Sequence, residues 1–200
     1  MGGGKWFQDN LSEKLTPIFG EEEKEIIRGA INNHHNGEKY ISLADSISAG
    51  MDRISLNAEE EGDPFTDRLV SILSKIKISN NHREETYHSF ARLGKDNLQE
   101  CFPIKDKKCG VKEYADLSGL FNKEIKNLNF GKINISEAIG KIYYSLWKYT
   151  WCIPSAAYKD DPDVFLFDHL KTTAVIANCL YDYDQEYSRE TINIRAPFFS

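Results

Sequence analysis

INISEAIGKIYYSLWKYTWCIP, residues 133–154, decides the fold class. Ile135, Ile139, Ile142, Leu146 and Tyr149 recur at three- and four-residue steps, the period of one helix face, and Pro154 marks a stop because it cannot continue an α-helix. VFLFDHLKTTAVIANCLYDYDQEY (164–187) repeats the pattern with Phe167, Leu170, Ala174, Ala177 and Tyr181. These two segments are expected to carry much of the core. The earlier chain reads the same way. EEEKEIIRGAINNHH (21–35) opens with acidic residues, which suit the positive end of a helix dipole, and places Ile26, Ile27, Ala30 and Ile31 on one side. Gly37 offers a stop. KYISLADSISAGMDRISL (39–56) follows with Ile41, Ala44, Ile47, Met51 and Ile54 as its stripe; Asp45, Ser48 and Asp52 fall on the flank, where a polar group can look across a helix contact.

NAEEEGDP (57–64) is a polar turn, and PFTDRLVSILSKIKI (64–78) predicts a further helix with proline at a favoured first-turn position. Residues 79–112 are the least regular stretch, an irregular or β-containing segment with ETYHSFARL (85–93) as candidate strand and FPIKDKKCG (102–110) as loop. Helix resumes in KEYADLSGLFNKEIKNL (112–128). The fold class is therefore mostly α, read as one domain over residues 1–193. INIRAPFFS at the end suggests an extended connector over 194–200, leading toward something further along. There is no internal repeat.

Bulk properties narrow the function. Two hundred residues suffice for one cored domain without metal or disulfide. With 31 acidic and 25 basic side chains the formal charge is −6, which opposes binding duplex nucleic acid by charge alone. The four cysteines, at 101, 109, 152 and 179, form no C-x-x-C pair and have no zinc-finger spacing; Cys152 and Cys179 sit in apolar helical patterns and read as small core residues. The N-terminus lacks an apolar signal region and no apolar run reaches membrane-spanning length, so the expectation is a soluble, reduced, cytoplasmic protein with no membrane contact.

The candidate chemistry lies at His34, His35 and Asp45. Imidazole and carboxylate suit Mn, Ni, Co or Zn, and such an ion can activate water toward a phosphodiester. Adjacent helical residues point about 100° apart, so one of the two histidines would face a given ion. A histidine and an aspartate make only half a site; the competing reading is a solvated His pair favoured by the helix C-terminus. Asp168 and His169 are the second candidates for ligands, against a buried polar group bonded to a neighbouring helix. His82 and His88 read as exposed loop residues, and the aromatics of YYSLWKYTW (143–151) read as core rather than as a surface that stacks on bases.

Four elements in order, the HH pair, LADSISAGMDR, WKYTWCIPS and DVFLFDHLKTTAVIANCLY, resemble the N-terminal region of the large signature subunit of type III CRISPR–Cas interference complexes, more the Csm-type than the Cmr-type. The matching residues are Ala44-Asp45, Ser48-Ala49-Gly50, Arg53, and Asp163 through Ala174, and the likeness covers nearly the whole chain. The resemblance implies an HD-type helical domain that, in active members, is a metal-dependent nuclease on single-stranded DNA, working with guide RNA and other effector subunits in antiviral defence. It also implies a His-Asp dyad in an H-D-x-G-K-[FW] stretch. Here Gly4-Lys5-Trp6 matches the end of that stretch and the dyad falls on Met1 and Gly2, so the nuclease is expected to be impaired, with His34 or His35 and Asp45 surviving from the metal site. Lys5 would steady a scissile phosphate. The family's cyclic oligoadenylate synthesis needs a G-G-D-D motif, which this chain lacks. Three functions fit the sequence: an HD-like module with an incomplete site, an active metal-dependent phosphohydrolase, and a non-enzymatic helical interaction domain.

Overall fold

The computed structural model describes residues 3–34, 39–51, 67–76, 84–155 and 162–187. Its architecture is mostly helical. The chain opens with α1 (Gly3–Phe7), a π-helical turn (Gln8–Ser12) and α2 (Glu13–Leu15), continues with α3 (Glu21–Asn33) and α4 (Lys39–Met51), and after an irregular stretch forms α5 (Val111–Asn127), α6 (Ile135–Thr150) and α7 (Leu166–Tyr187).

The main core joins the first helices to α5 and α6. Phe7, Leu11 and Leu15 pack with Ile125, Phe130 and Ala138, and Ile27 and Ile31 of α3 close the side. Trp6 stacks nearly parallel on Phe121 at 5.7 Å while its indole N–H donates to Asn122 at 2.7 Å. The ring thus buries its face and still satisfies its polar edge. Lys14 caps the far end of α5, donating to the carbonyls of Lys126 and Leu128, where a cation meets the negative end of the helix dipole. At α6, Asn134 and Glu137 form a reciprocal capping box, each side chain accepting from the other's backbone N–H.

α4 and α7 pack along one another in antiparallel sense: Lys39 and Tyr40, at the start of α4, both donate to Asp184 near the end of α7, and Ser48 meets His169 near the α7 start. Tyr143 of α6 contacts Phe167 edge-on at 5.0 Å, which ties α7 to α6.

Several expectations change. The helix over 64–78 does not form where the chain is described. Asp67 bridges Lys108 and Val70 bridges Tyr87, and only Ile72–Lys75 turns, as a 3-10 helix. Residues 67–71 are all buried, so the run is apolar or bonded on both sides, and such a run reads alike as helix or extended segment. Tyr87 also bridges Ile104, which gives the irregular segment its short β pairing.

The buried face of α6 is Ala138, Ser145 and Tyr149, whereas Ile135 and Ile139 are about half exposed. That face is tied to α5 by polar bonds, Ser145 and Tyr149 both donating to Glu124. On α7 only Phe167 of the anticipated stripe is buried; Leu170, Ala174, Tyr181 and Cys179 are exposed, and α7 instead turns His169, Thr173, Ile176 and Leu180 inward. Its partner α4 offers a seam of small residues, Ala44 and Ser48, both fully buried. Ile26 of α3 is likewise exposed, while Cys152 is buried as anticipated. His88 is not an exposed loop residue: its ring meets Trp151 at 5.3 Å and Phe165 at 5.5 Å. His82 and the connector 194–200 lie outside the described residues.

Candidate functional site

Asp45 and Ser48 lie one turn apart on α4, so both side chains leave the same face of the helix. Across the seam, His169 sits in the first turn of α7. Its Nε2 is 3.1 Å from Asp45 Oδ1 and its Nδ1 is 3.1 Å from Ser48 Oγ. The histidine side chain is 11% exposed and the aspartate 23%, while Ser48 is fully buried.

A carboxylate only accepts, so in the neutral imidazole Nε2 carries the proton toward Asp45, and Nδ1 accepts from the Ser48 hydroxyl. In the imidazolium, Nδ1–H donates to Ser48 Oγ, whose own proton turns to the His169 carbonyl at 3.4 Å. Ser48 serves both protonation states. The three residues hold the ring in one orientation.

The remaining candidates have contacts of their own. His34 caps α3, and its Nδ1 donates to the Ile31 carbonyl at 2.8 Å. That bond fixes the neutral tautomer in which Nε2 bears the lone pair, the state a metal ligand requires. His35 lies outside the described residues. Lys5 is exposed on α1. Asp168 points away from the seam and pairs with Lys171 at 2.6 Å, both about half exposed. The sequence named Asp45 and His169 separately; their pairing depends on which faces α4 and α7 turn to each other, and no local pattern encodes that. Ser48 was legible as a seam residue and not as the group that orients the imidazole.

The fit to a metal is partial. Two ligands of one ion at right angles, each about 2.1 Å away, stand about 3.0 Å apart, so the observed separation suits either a hydrogen bond or a shared ion. Among the described residues no group of three or more His, Cys, Asp or Glu side chains is placed to hold an ion. By itself the pair supplies two of the four to six ligands that a transition metal takes, and it does not constitute a metal centre.

No helix among the described residues is long and apolar enough to cross a membrane. No protein-family model matches the chain. Two curated proteins are similar to it. One, from Methanocaldococcus jannaschii, is 31% identical over 219 aligned positions that cover 94% of this chain and 25% of the relative. The other, from Enterococcus italicus, is 29% identical over 167 positions, covering 80% of this chain and 21% of the relative. Both are described as the CRISPR system single-strand-specific deoxyribonuclease Cas10/Csm1 of subtype III-A. The chain therefore spans a quarter or less of the length of the relatives it matches.

Proposed function

Since this chain belongs to the Cas10/Csm1 family of type III CRISPR systems, we propose that it works as the HD-like domain of a type III large subunit, inside an RNA-guided complex with other effector subunits. In that setting its substrate class is single-stranded DNA, the class named for its relatives. The nuclease is impaired in this chain, and the domain contributes chiefly as a helical module that positions and contacts its neighbours.

The observation that supports this reading is the engagement of Asp45. Its Oδ1 accepts a hydrogen bond from Nε2–H of a mostly buried histidine, so the carboxylate acts as a link between α4 and α7. An ion would have to displace that proton before sharing both groups. The test is cleavage of a labelled single-stranded DNA by the purified chain with Mn, Ni or Co. The expected outcome is no cleavage above that of Asp45→Ala. Metal-dependent cleavage by the native chain that Asp45→Ala abolishes would overturn the impairment.

A second reading, an active metal-dependent nuclease using His34, His35, Asp45 and His169, has one observation in its favour. His34 is held in the tautomer that suits ligation, by its bond to Ile31. The same assay decides between the two.

A further inference from the structure

The aromatic run of α6 divides between core and surface. Tyr149 is buried, but Tyr143, Tyr144 and Trp147 are 48%, 54% and 43% exposed. Beside them a cleft of about 350 Å³ opens between the end of α6 and the first turn of α7, walled by Leu93, Trp147, Trp151, Phe165 and Phe167 with Asp168 and Lys171 at the rim.

Each wall ring is held by the protein at its edge or its polar tip. The Trp151 indole N–H donates to the Ala91 carbonyl at 2.7 Å, His88 meets Phe165, Tyr143 meets Phe167 edge-on at 5.0 Å, and Tyr144 braces Trp147 at 5.8 Å. Rings fixed in this way lose little further freedom when a flat partner stacks on them. Among the described residues the rim carries one cation, Lys171. Lys171 pairs with Asp168, yet both are about half exposed, and an exposed pair of this kind contributes little, so the ammonium can turn to a phosphate at small cost.

From this arrangement we propose that the cleft is a base-stacking subsite for single-stranded DNA: an unpaired base enters against Trp147 and its flanking phosphate meets Lys171. The inference rests on the reading that single-stranded DNA is the domain's ligand class, with or without cleavage, and adds where the strand is held. Four of the five apolar side chains that line the cleft are aromatic, Leu93 being the fifth, and every base has a π-face to offer them. A purely aliphatic guest would make no use of the Lys171 ammonium. The cleft also adjoins the candidate site. Asp168 precedes His169 on α7, and successive helical residues point about 100° apart, so the cleft and the Asp45–His169 pair occupy neighbouring faces of one helical turn.

The experiment is fluorescence anisotropy of a labelled oligo-dT, and of an abasic strand of equal length, with the native chain, Trp147→Ala and Trp147→Phe, whose folds are checked by circular dichroism. Trp147→Ala is expected to weaken oligo-dT binding about 10-fold, the scale of one lost base–aromatic stack, and Trp147→Phe to recover most of it. The abasic strand should bind the native chain about 10-fold more weakly, with no further loss in Trp147→Ala. Tight binding of oligo-dT that neither substitution alters would overturn the cleft while leaving the domain's reading intact. No binding of oligo-dT by the native chain would overturn both. Tighter binding of oligo-U, with the same dependence on Trp147, would overturn the assignment to DNA.

Discussion

His169 Nε2 on α7 stands 3.1 Å from Asp45 Oδ1 on α4, a contact between residues 124 apart in the chain. The bond does two things. It satisfies a mostly buried imidazole, and it fixes how the two helices lie against each other, because Ser48 one turn along α4 holds the other ring nitrogen. A polar seam of this kind is costly when half satisfied and specific when complete.

His169→Ala should therefore destabilise the chain by about 1–3 kcal/mol, because Asp45 and the buried Ser48 hydroxyl lose a partner together. Asp45→Asn should cost less, about 1 kcal/mol, since the amide oxygen still accepts from Nε2. Thermal or urea unfolding of both variants and of the double mutant gives the coupling. Purely additive losses would mean that the contact does not form in solution.

Close approach governs the other end of the molecule. A Cβ on Gly4 would stand 2.2 Å from Asn32 Oδ1, the atom that accepts the Gly4 backbone N–H at 3.1 Å. Glycine to alanine in a helix ordinarily gains up to about 1 kcal/mol. Gly4→Ala should instead lose about 1–3 kcal/mol by pushing α1 off α3. Chemical denaturation checks the sign, and Gly4→Ala placed on Asn32→Ala should recover much of the loss, because the clashing side chain is gone.

These two contacts show what the sequence could reveal. The helices over 21–33, 39–51, 111–127, 135–150 and 166–187 were legible because each carries an apolar period long enough to exclude a strand. Which face turns inward was not. In α6 Ile142 and Tyr149 of the expected stripe do face the core, but Ser145 lies there in place of Ile135 and Ile139, and in α7 His169, Thr173, Ile176 and Leu180 turn inward where Leu170, Ala174 and Tyr181 were expected. Asp45 and His169 were each visible as polar residues on an apolar background. Their partnership was not, since it requires knowing that α4 and α7 are neighbours. The stretch 67–71 misled because its residues are all buried, which removes the alternation that marks a strand.

His88 supplies a test of the packing around Trp151 and Phe165. Burial holds its pKa below the ordinary 6.5, and its Nδ1 is buried with no hydrogen-bond partner among the described residues. The unfolded chain takes up the proton more readily than the folded one, so stability is complete above about pH 6.5 and falls as the pH drops through the lower folded value. His88→Phe keeps an aromatic ring there and removes both the proton site and the orphaned nitrogen. It should be neutral or stabilising by about 1 kcal/mol at pH 7, and should flatten the stability profile below about pH 6.5. Urea midpoints measured across that range decide; a profile that keeps its slope would assign the loss to another group.

Glu124 controls a lower window. Burial raises its pKa, but bonds from Lys148, Tyr149 and Ser145 outweigh that and hold the carboxyl below the ordinary 4.5. The same contact, with burial first, pushes the Tyr149 phenol up to about 12. A carboxylate with a depressed folded value stabilises the protein above about pH 4.5, and that contribution is lost as the pH falls through the folded value. Glu124→Gln should cost about 1–3 kcal/mol at pH 7 and lose less than the native chain on acidification. Equal acid sensitivity in the two proteins would show that Glu124 is not the group that titrates.

Metal binding tests the candidate site most directly, because ligation and the Asp45–His169 bond compete for the same atoms. To share an ion, Nε2 must give up the proton that it donates to Asp45, so any affinity would rise with pH, and an ion that bound would add stability through mass action. With two described ligands available, the chain incubated with Mn, Ni or Zn and desalted should retain less than one ion per molecule. Its unfolding midpoint should move no more than that of Asp45→Ala. Mass spectrometry of the metal content and a thermal melt in each ion provide both readouts. A stoichiometric ion that is lost in Asp45→Ala, together with a rise in melting temperature absent from the variant, would mean that other residues complete the site, with His34 the first to examine because its tautomer is already set for ligation. An ion retained equally by both proteins would place the binding elsewhere and leave the Asp45–His169 pair as a link between helices.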